Sequence, residues 1–368
     1  MRQRIIDEYY MRHALELALR GMGKTTPNPM VGCVLVKDGE IVGRGWHDHL
    51  GGLHAEAAAM LDAGDACEGA TAYVTLEPCS HWGRQPPCAD ALVRAKIKRC
   101  VAAIGDPNPK VAGKGFEKLR AAGIETQCGI LAEEAARQNR GFLSLQTRKR
   151  PWVTLKAAVS QDGDMALSDG TSQWITGEEA RAVGHLLRSE NDAIITGIGT
   201  LLHDDPSLTV RAVEGRSPRP VIISSTLEYL DSPHAAVRDG TIAIAPIGAR
   251  VPENTCADVR LVEPDENGRP SIRAALALLA ELGMARVLVE AGGTLTSSFI
   301  KERLADEYHI FTAPKFMGEG RKVTGSINLT KMSEAIPMKR TRTRGLGGDL
   351  WLEGADPCSL DWLKQLAR

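Results

Sequence analysis

His54-Ala55-Glu56 is followed downstream by Pro78-Cys79 and Pro87-Cys88, with eight residues between the two cysteines. One imidazole, two soft thiolates and a nearby carboxylate form a set that can hold zinc and move protons beside it. His54 heads a helical pattern. Side chains at i and i+2 diverge in mid-helix, but at a first turn the Cα–Cβ bonds tilt toward the N-terminus and both can reach one target. Cys88 also heads a helix, after Pro86-Pro87, where proline is well accommodated and the helix dipole favours thiolate. The candidate ligands are therefore His54, Cys79 and Cys88, with Glu56 held off the metal. Three protein ligands leave a fourth position for water, the arrangement of catalytic zinc. Zinc lowers the pKa of such a water to about 7, and Glu56 becomes its proton shuttle. Competing readings are a helix-capping His54 with ordinary buried thiols, or a closed structural site completed by His81. His47 and His49 read as loop or pocket residues.

These residues need a scaffold. The N-terminal segment patterns as an amphipathic helix through Ile6, Tyr10, Ala14 and Leu17. Two apolar runs flank Lys37-Asp38-Gly39-Glu40, and Asp-Gly between strands predicts a tight hairpin. The pattern then predicts a helix over 54–64, a strand over 70–76, a helix over 89–98, a strand over 100–104, a helix over 114–122, a strand over 124–128 and a helix over 131–146. Such alternation builds a sheet covered by helices. The basic stretch Thr147 to Trp152 around Pro151 marks the expected boundary, giving domains 1–147 and 148–368. A second alternating series begins at Trp152, with helices expected over 177–189, 271–282 and 296–304.

The 368 residues are 43% hydrophobic and 25% charged, an ordinary globular composition with net charge −1. The first 150 residues carry 21 Lys+Arg against 17 Asp+Glu, +4; the remainder carry 24 against 29, −5. Neither value is the footprint of a dedicated nucleic-acid binder. No run reaches the roughly 20 apolar residues of a membrane span, and no signal-peptide core opens the chain. A cytoplasmic protein is expected, with its eight cysteines reduced or metal-bound. Cys33, Cys67, Cys100, Cys128, Cys256 and Cys358 read as inert filler.

The second half lacks a complete G-x-G-x-x-G: Leu202 stands where the third glycine after Gly197 and Gly199 belongs. A better signal is Val287-Leu-Val-Glu290-Ala-Gly292-Gly293, a strand running into glycines and a helix. Unpaired N–H groups at such a turn bind anions, although a plain βα turn has the same pattern. Lys156 interrupts the apolar strand Val153–Val159, where a lysine is costly unless paired or functional. It is a candidate catalytic residue near the reacting carbon, with Glu290 as a possible ion partner; a strand-end lysine reaching solvent is the alternative.

His-Ala-Glu with Pro-Cys…Cys resembles the zinc-dependent cytidine-deaminase-like superfamily. The longer inter-cysteine loop in TLEPCSHWGRQPPC, with TPNPMVG, GWHDHLGGLHAE and DPNPKVAGKG, resembles the riboflavin-pathway pyrimidine deaminases over most of 5–150. LKAAVSQDG, SQWITG, LLRSENDAIITGIGTLLHDDPSLTVR and VEAGG resemble the reductase half of the same family over about 151–355. Gln161 departs from its usual Ser-Leu-Asp-Gly, while Ser160, Asp162 and Gly163 are kept.

The resemblance implies an α/β protein: a cytidine-deaminase-like αβα sandwich followed by a dihydrofolate-reductase-like α/β domain. It implies zinc and NADPH as cofactors, and a homo-oligomer acting on a small pyrimidine nucleotide, without nucleic acid or membrane. The implied reactions are deamination of 2,5-diamino-6-ribosylamino-4(3H)-pyrimidinone 5′-phosphate, then reduction of the ribosyl chain to 5-amino-6-(5-phosphoribitylamino)uracil. NADPH contacts are implied at Ala158, Trp174, Thr200, Asp204, Ser225, Gly292, Gly293, Thr294, Leu295, Thr296, Ser297 and Ser298. Substrate contacts are implied at Asn28, Ser172, Arg188, Leu208, Arg211 and Glu290. Arg188 and Arg211 suit a phosphate through forked, charge-assisted bonds, against a solvated helix face for Arg188. Trp174 packs on the cofactor or fills the core. Asn28 and the Asp106–Pro109 turn contact substrate or are plain turn residues. Two rival functions remain open at this point: a tRNA adenosine deaminase with an accessory domain, and a non-catalytic zinc-folded binding protein.

Overall fold

The computed structural model describes residues 2–367 except 83–84, 109–110 and 326. The chain divides into two compact units, Met1–Lys149 with Asp361–Arg368, and Arg150–Leu360. The expected boundary at 147/148 lies two residues before this division, and the C-terminal tail clusters with the first unit.

The first unit contains α1 (Arg2–Ala18), β1 (Gly32–Lys37), β2 (Glu40–Trp46), α2 (Ala55–Ala63), β3 (Thr71–Leu76), α3 (Cys88–Arg94), β4 (Arg99–Ile104), α4 (Lys114–Ala121), β5 (Glu125–Cys128), α5 (Ala132–Gln138) and α6 (Arg140–Arg148). The sheet order is β2-β1-β3-β4-β5. The hairpin β1–β2 and the pair β1–β3 are antiparallel; β3–β4 and β4–β5 are parallel. Asp38 and Gly39 both have positive φ, 51° and 85°, as the two-residue hairpin turn requires. The core gathers Leu35, Val74, Ala102 and Cys100 from the sheet with Ala55, Ala59, Leu92 and Leu119 from the helices. Cys33, Cys67 and Cys100 are buried there as small apolar residues, whereas Cys128, Cys256 and Cys358 are exposed. Gly45 lets α2 lie directly on β2: a Cβ there would stand 2.2 Å from Ala55 O. That contact sets the height of the helix start that carries His54.

The expected single helix over 131–146 is two, broken at Asn139 (φ −95°, ψ 17°). The Asn139 side chain accepts from Met30 N–H and donates to Met30 O, each at 2.8 Å. A tertiary hydrogen-bond pair thus overrides the helical pattern.

The second unit contains β6 (Trp152–Val159), β7 (Asp164–Ala166), α7 (Glu178–Ser189), β8 (Ala193–Gly197), α8 (Ile198–Asp204), β9 (Arg219–Ile223), β10 (Ile242–Pro246), β11 (Asp258–Val262), α9 (Ile272–Glu281), β12 (Arg286–Val289), α10 (Gly293–Lys301), β13 (Glu307–Thr312), β14 (Arg321–Lys322), β15 (Lys339–Leu346) and β16 (Asp349–Ala355). A last helix, α11 (Pro357–Leu366), spans the point where the chain returns to the first unit. Nine strands form one sheet in the order β11-β10-β9-β8-β12-β6-β13-β16-β15. Neighbours from β11 to β13 are parallel, and the last two pairs are antiparallel. Apolar clusters cover both faces, one around Phe299, Leu279 and Val287, the other around Phe311, Ile194 and Leu201. Among the described residues, no helix is long and apolar enough to cross a membrane.

Candidate active sites

His54 is the N-cap residue of α2, with extended backbone (φ −69°, ψ 154°), and Glu56 lies in the first turn. Cys79 follows the end of β3, and Cys88 opens α3 after Pro87. His54 Nδ1 lies 3.3 Å from Cys88 Sγ and 3.6 Å from Cys79 Sγ. All three donor atoms fall within 4.8 Å of one another. Tetrahedral zinc with ordinary Zn–N and Zn–S bonds places nitrogen and sulfur ligands about 3.6 Å apart, so these residues fit the ion. His81 is not part of the cluster.

The electrostatics suit the same role. The Cys88 side chain and backbone N–H, the latter 3.3 Å from Cys79 Sγ, together with His54 hold the Cys79 thiol well below its usual range, toward thiolate. Glu56 is only 4% exposed. Burial and the neighbouring Cys79 push its carboxyl up to about 7.

Asn28 reaches this centre through His47. The His47 Nδ1 lies 2.9 Å from Leu53 O, which can only accept, so that nitrogen carries the proton. Its Nε2 then accepts from Asn28 Nδ2 at 3.3 Å. Burial lowers the His47 pKa, keeping the ring neutral, and the ring packs edge-on to His54 with centroids 5.7 Å apart. In the turn after β4, burial pushes the Asp106 carboxyl up to about 6, with the charges of Glu77 and Cys79 adding to it. Pro109 of that turn lies outside the described residues. His49 sits in an exposed loop and pairs with Asp48. Asn139 and Glu77, which support the site, carried no sequence signal beyond a polar residue inside an amphipathic run and an acidic one at a strand end.

In the second unit a cavity of about 1160 Å³ opens at the C-terminal ends of the parallel strands, where open α/β sheets bind ligands. It is larger than the roughly 300–1,000 Å³ of a single small-ligand pocket. Lys156, Ala158, Ser172, Trp174, Arg188, Thr200, Asp204, Leu208, Arg211, Ser225 and Glu290 line it, as do Gly292 to Leu295 and Ser298. Thr296 and Ser297 do not; each is 1% exposed. Helix α10 starts at Gly293, three residues earlier than the sequence pattern predicts, so the Thr296 N–H already donates to Gly292 O at 3.1 Å. The N–H groups of Gly293, Thr294 and Leu295, in the first turn, are the ones open to an anion.

Lys156 sits 3.8 Å from Glu290 Oε2, and both line the cavity. Arg188 forks onto Glu290 at 2.9 and 2.8 Å and also donates to Thr209 O. With a side chain only 14% exposed, it is no solvated helix face, and its fork grips Glu290. Arg211 is exposed, its backbone N–H donating to His185 Nδ1 at 3.3 Å and its guanidinium to Ser207 Oγ at 2.9 Å. Trp174 is 60% exposed with Arg181 stacked 4.6 Å from its ring centre, so it does not fill the core. Ser172 Oγ donates to Asp204 Oδ1 at 2.9 Å.

Residues 4–104 match the cytidine and deoxycytidylate deaminase zinc-binding region, and residues 151–352 match the RibD C-terminal domain. The chain is 40% identical to the riboflavin biosynthesis protein RibD of Aquifex aeolicus over 364 residues, covering 94% of this chain and 98% of that one. It is likewise 40% identical to the Escherichia coli protein of that name over 362 residues, with the same coverage. An Acinetobacter baumannii RibD structure superimposes with a TM-score of 0.88 at 37% identity, covering 96% of this chain and 99% of that one. A diaminohydroxyphosphoribosylaminopyrimidine deaminase/5-amino-6-(5-phosphoribosylamino)uracil reductase from Thermotoga maritima gives 0.87 at 34%, again over 96% and 99%. Carrying both a zinc-type deaminase centre and a reductase domain, the chain belongs to the RibD family of riboflavin biosynthesis enzymes.

Proposed function

We propose that the first unit hydrolytically deaminates 2,5-diamino-6-ribosylamino-4(3H)-pyrimidinone 5′-phosphate. The second unit then reduces the ribosyl chain, giving 5-amino-6-(5-phosphoribitylamino)uracil. The observation that carries the reading is His54 Nδ1 set between two cysteine sulfurs, with a buried glutamate in the same helical turn. His54, Cys79 and Cys88 would hold zinc, which would lower the pKa of a bound water toward neutrality. Glu56 takes a proton as water oxygen bonds to the amine-bearing ring carbon, and returns it to the departing ammonia. The neutral His47 orients Asn28, which holds the pyrimidine.

In the second unit the cavity residues would hold NADPH, which would supply the hydride for reduction at C1 of the opened sugar imine. The first-turn N–H groups of α10 take a cofactor phosphate, and Trp174, Thr200, Asp204 and Ser225 line its bed. Arg211 takes the substrate phosphate. Lys156, held by Glu290, positions the imine and supplies the proton that accompanies the hydride.

The tRNA deaminase and non-catalytic readings lose their support because the family match runs through both units. We also place the enzyme in the cytoplasm, which suits eight unpaired cysteines, and read it as a homo-oligomer without nucleic-acid or membrane partners.

The test offers the diaminopyrimidinone phosphate with NADPH and follows ammonia release and loss of NADPH absorbance together. Glu56→Gln is expected to lower ammonia release about 10²–10⁴-fold while zinc stays bound. Undiminished turnover in that variant removes the mechanism.

A further inference from the structure

Helix α4 begins without a side-chain cap: its N-cap is Gly113, in the left-handed region at φ 85°. The first N–H groups of a helix need partners from elsewhere. Here a single carboxylate from another element supplies them. Glu77, the first residue after β3, is 4% exposed. Its Oε1 accepts from Gly115 N–H at 3.0 Å and Phe116 N–H at 3.4 Å. Its Oε2 accepts from Gly113 N–H at 3.0 Å and Asp106 N–H at 3.2 Å. An anion is well placed there, facing the positive end of the helix dipole. The fit is close, because a Cβ on Gly115 would stand 2.0 Å from Pro78 O.

Glu77 is also two residues from Cys79, and its own N–H donates to Ile104 O at the end of β4. One side chain therefore joins the strand end that carries a metal ligand to both ends of the β4–α4 connection. Asp106, the first residue tied, in turn accepts from Asn108 N–H at 2.8 Å and shapes the turn. Asp106 is half-buried just beyond β4, whose Ile104 pairs with Leu76 at the end of β3, the strand that leads into Pro78-Cys79.

We propose that Glu77 is a positioning residue of the deamination, fixing the Asp106–Asn108 turn as a wall of the pyrimidine pocket. The proposal rests on the deaminase reading above. Glu77 touches neither metal nor substrate; it acts through the backbone of the turn.

Glu77→Gln is close in shape but replaces one accepting oxygen with an amide nitrogen that cannot accept. Amide exchange at Gly113, Gly115 and Phe116 is expected to accelerate about 10-fold or more, while β1 and β3 stay protected. KM for the diaminopyrimidinone phosphate should rise about 10-fold, with kcat within about 3-fold and zinc content unchanged. Glu77→Asp, which keeps the charge, should recover part of the KM, and it carries the same measurements should the glutamine variant not fold. Unchanged exchange at those amides would overturn the cradle. Faster exchange with an unchanged KM would separate the turn from the reaction. Zinc lost in step with activity would make Glu77 a support of Cys79 instead. Wild-type protein without ammonia release would sink the deaminase reading itself, and that result precedes any substitution.

Discussion

Two glutamates, one buried and one half-buried, are driven in opposite directions, and the neighbours decide which way. Glu56 has burial and Cys79 acting upward, so its carboxyl reaches about 7, where a group both takes and gives a proton at neutral pH. At Glu290 burial also acts upward, but Lys156 and Arg188 outweigh it and hold the carboxyl at about 2. Glu290 is therefore a permanent anion that keeps two cations inside the cavity wall. A carboxyl depressed from 4.5 to about 2 contributes about 3 kcal/mol of stability. That contribution is present above pH 4.5 and is lost as pH falls toward 2. Glu290→Gln leaves Lys156 and Arg188 without a counter-charge and should cost about 3–5 kcal/mol at pH 7. Urea unfolding at pH 7, 5 and 3 should show the gap between variant and wild type narrowing only below pH 4.5. A gap independent of pH over that range would mean that Glu290 is not held as an anion.

Elements position these residues by joining segments distant in sequence. The break between α5 and α6 places the Asn139 amide on both backbone groups of Met30, two residues beyond Asn28. Replacing Asn139 by alanine strands a buried donor and acceptor, at about 1–3 kcal/mol. It should also loosen the turn that holds Asn28, raising KM in the deaminase assay more than it changes kcat. A lowered denaturation midpoint with wild-type KM would confine Asn139 to stability. The start of α10 follows the same logic. The pattern of apolar residues predicts a helix from Thr296, because glycines disfavour helix interiors. The structure begins it at Gly293, since a bare backbone turn at a strand end is free to become the first turn.

For the whole molecule, the separate units carry separate chemistry. Cys88→Ser should abolish ammonia release while reduction of supplied deaminated substrate stays within about 2-fold of wild type. Loss of both activities in a folded variant would contradict two independent sites. The alternation of strands and helices, the hairpin at Asp38-Gly39 and the zinc donor set were legible in the sequence, because periodicity, turn chemistry and ligand type are local properties. The edge pair β15–β16 and helix α11 were not, since short or mixed polar segments carry little periodic signal and are held by their neighbours. Residue types alone determined that a nitrogen, two sulfurs and a carboxylate were available, and that a glycine turn could receive an anion. Only tertiary structure decided that Arg188 holds Glu290, that Asn139 breaks a helix for Met30, and that Glu77 caps a helix it does not belong to. Those partners lie 102, 109 and 36 to 39 residues apart, and pairing across such distances is set by packing, which no local pattern encodes.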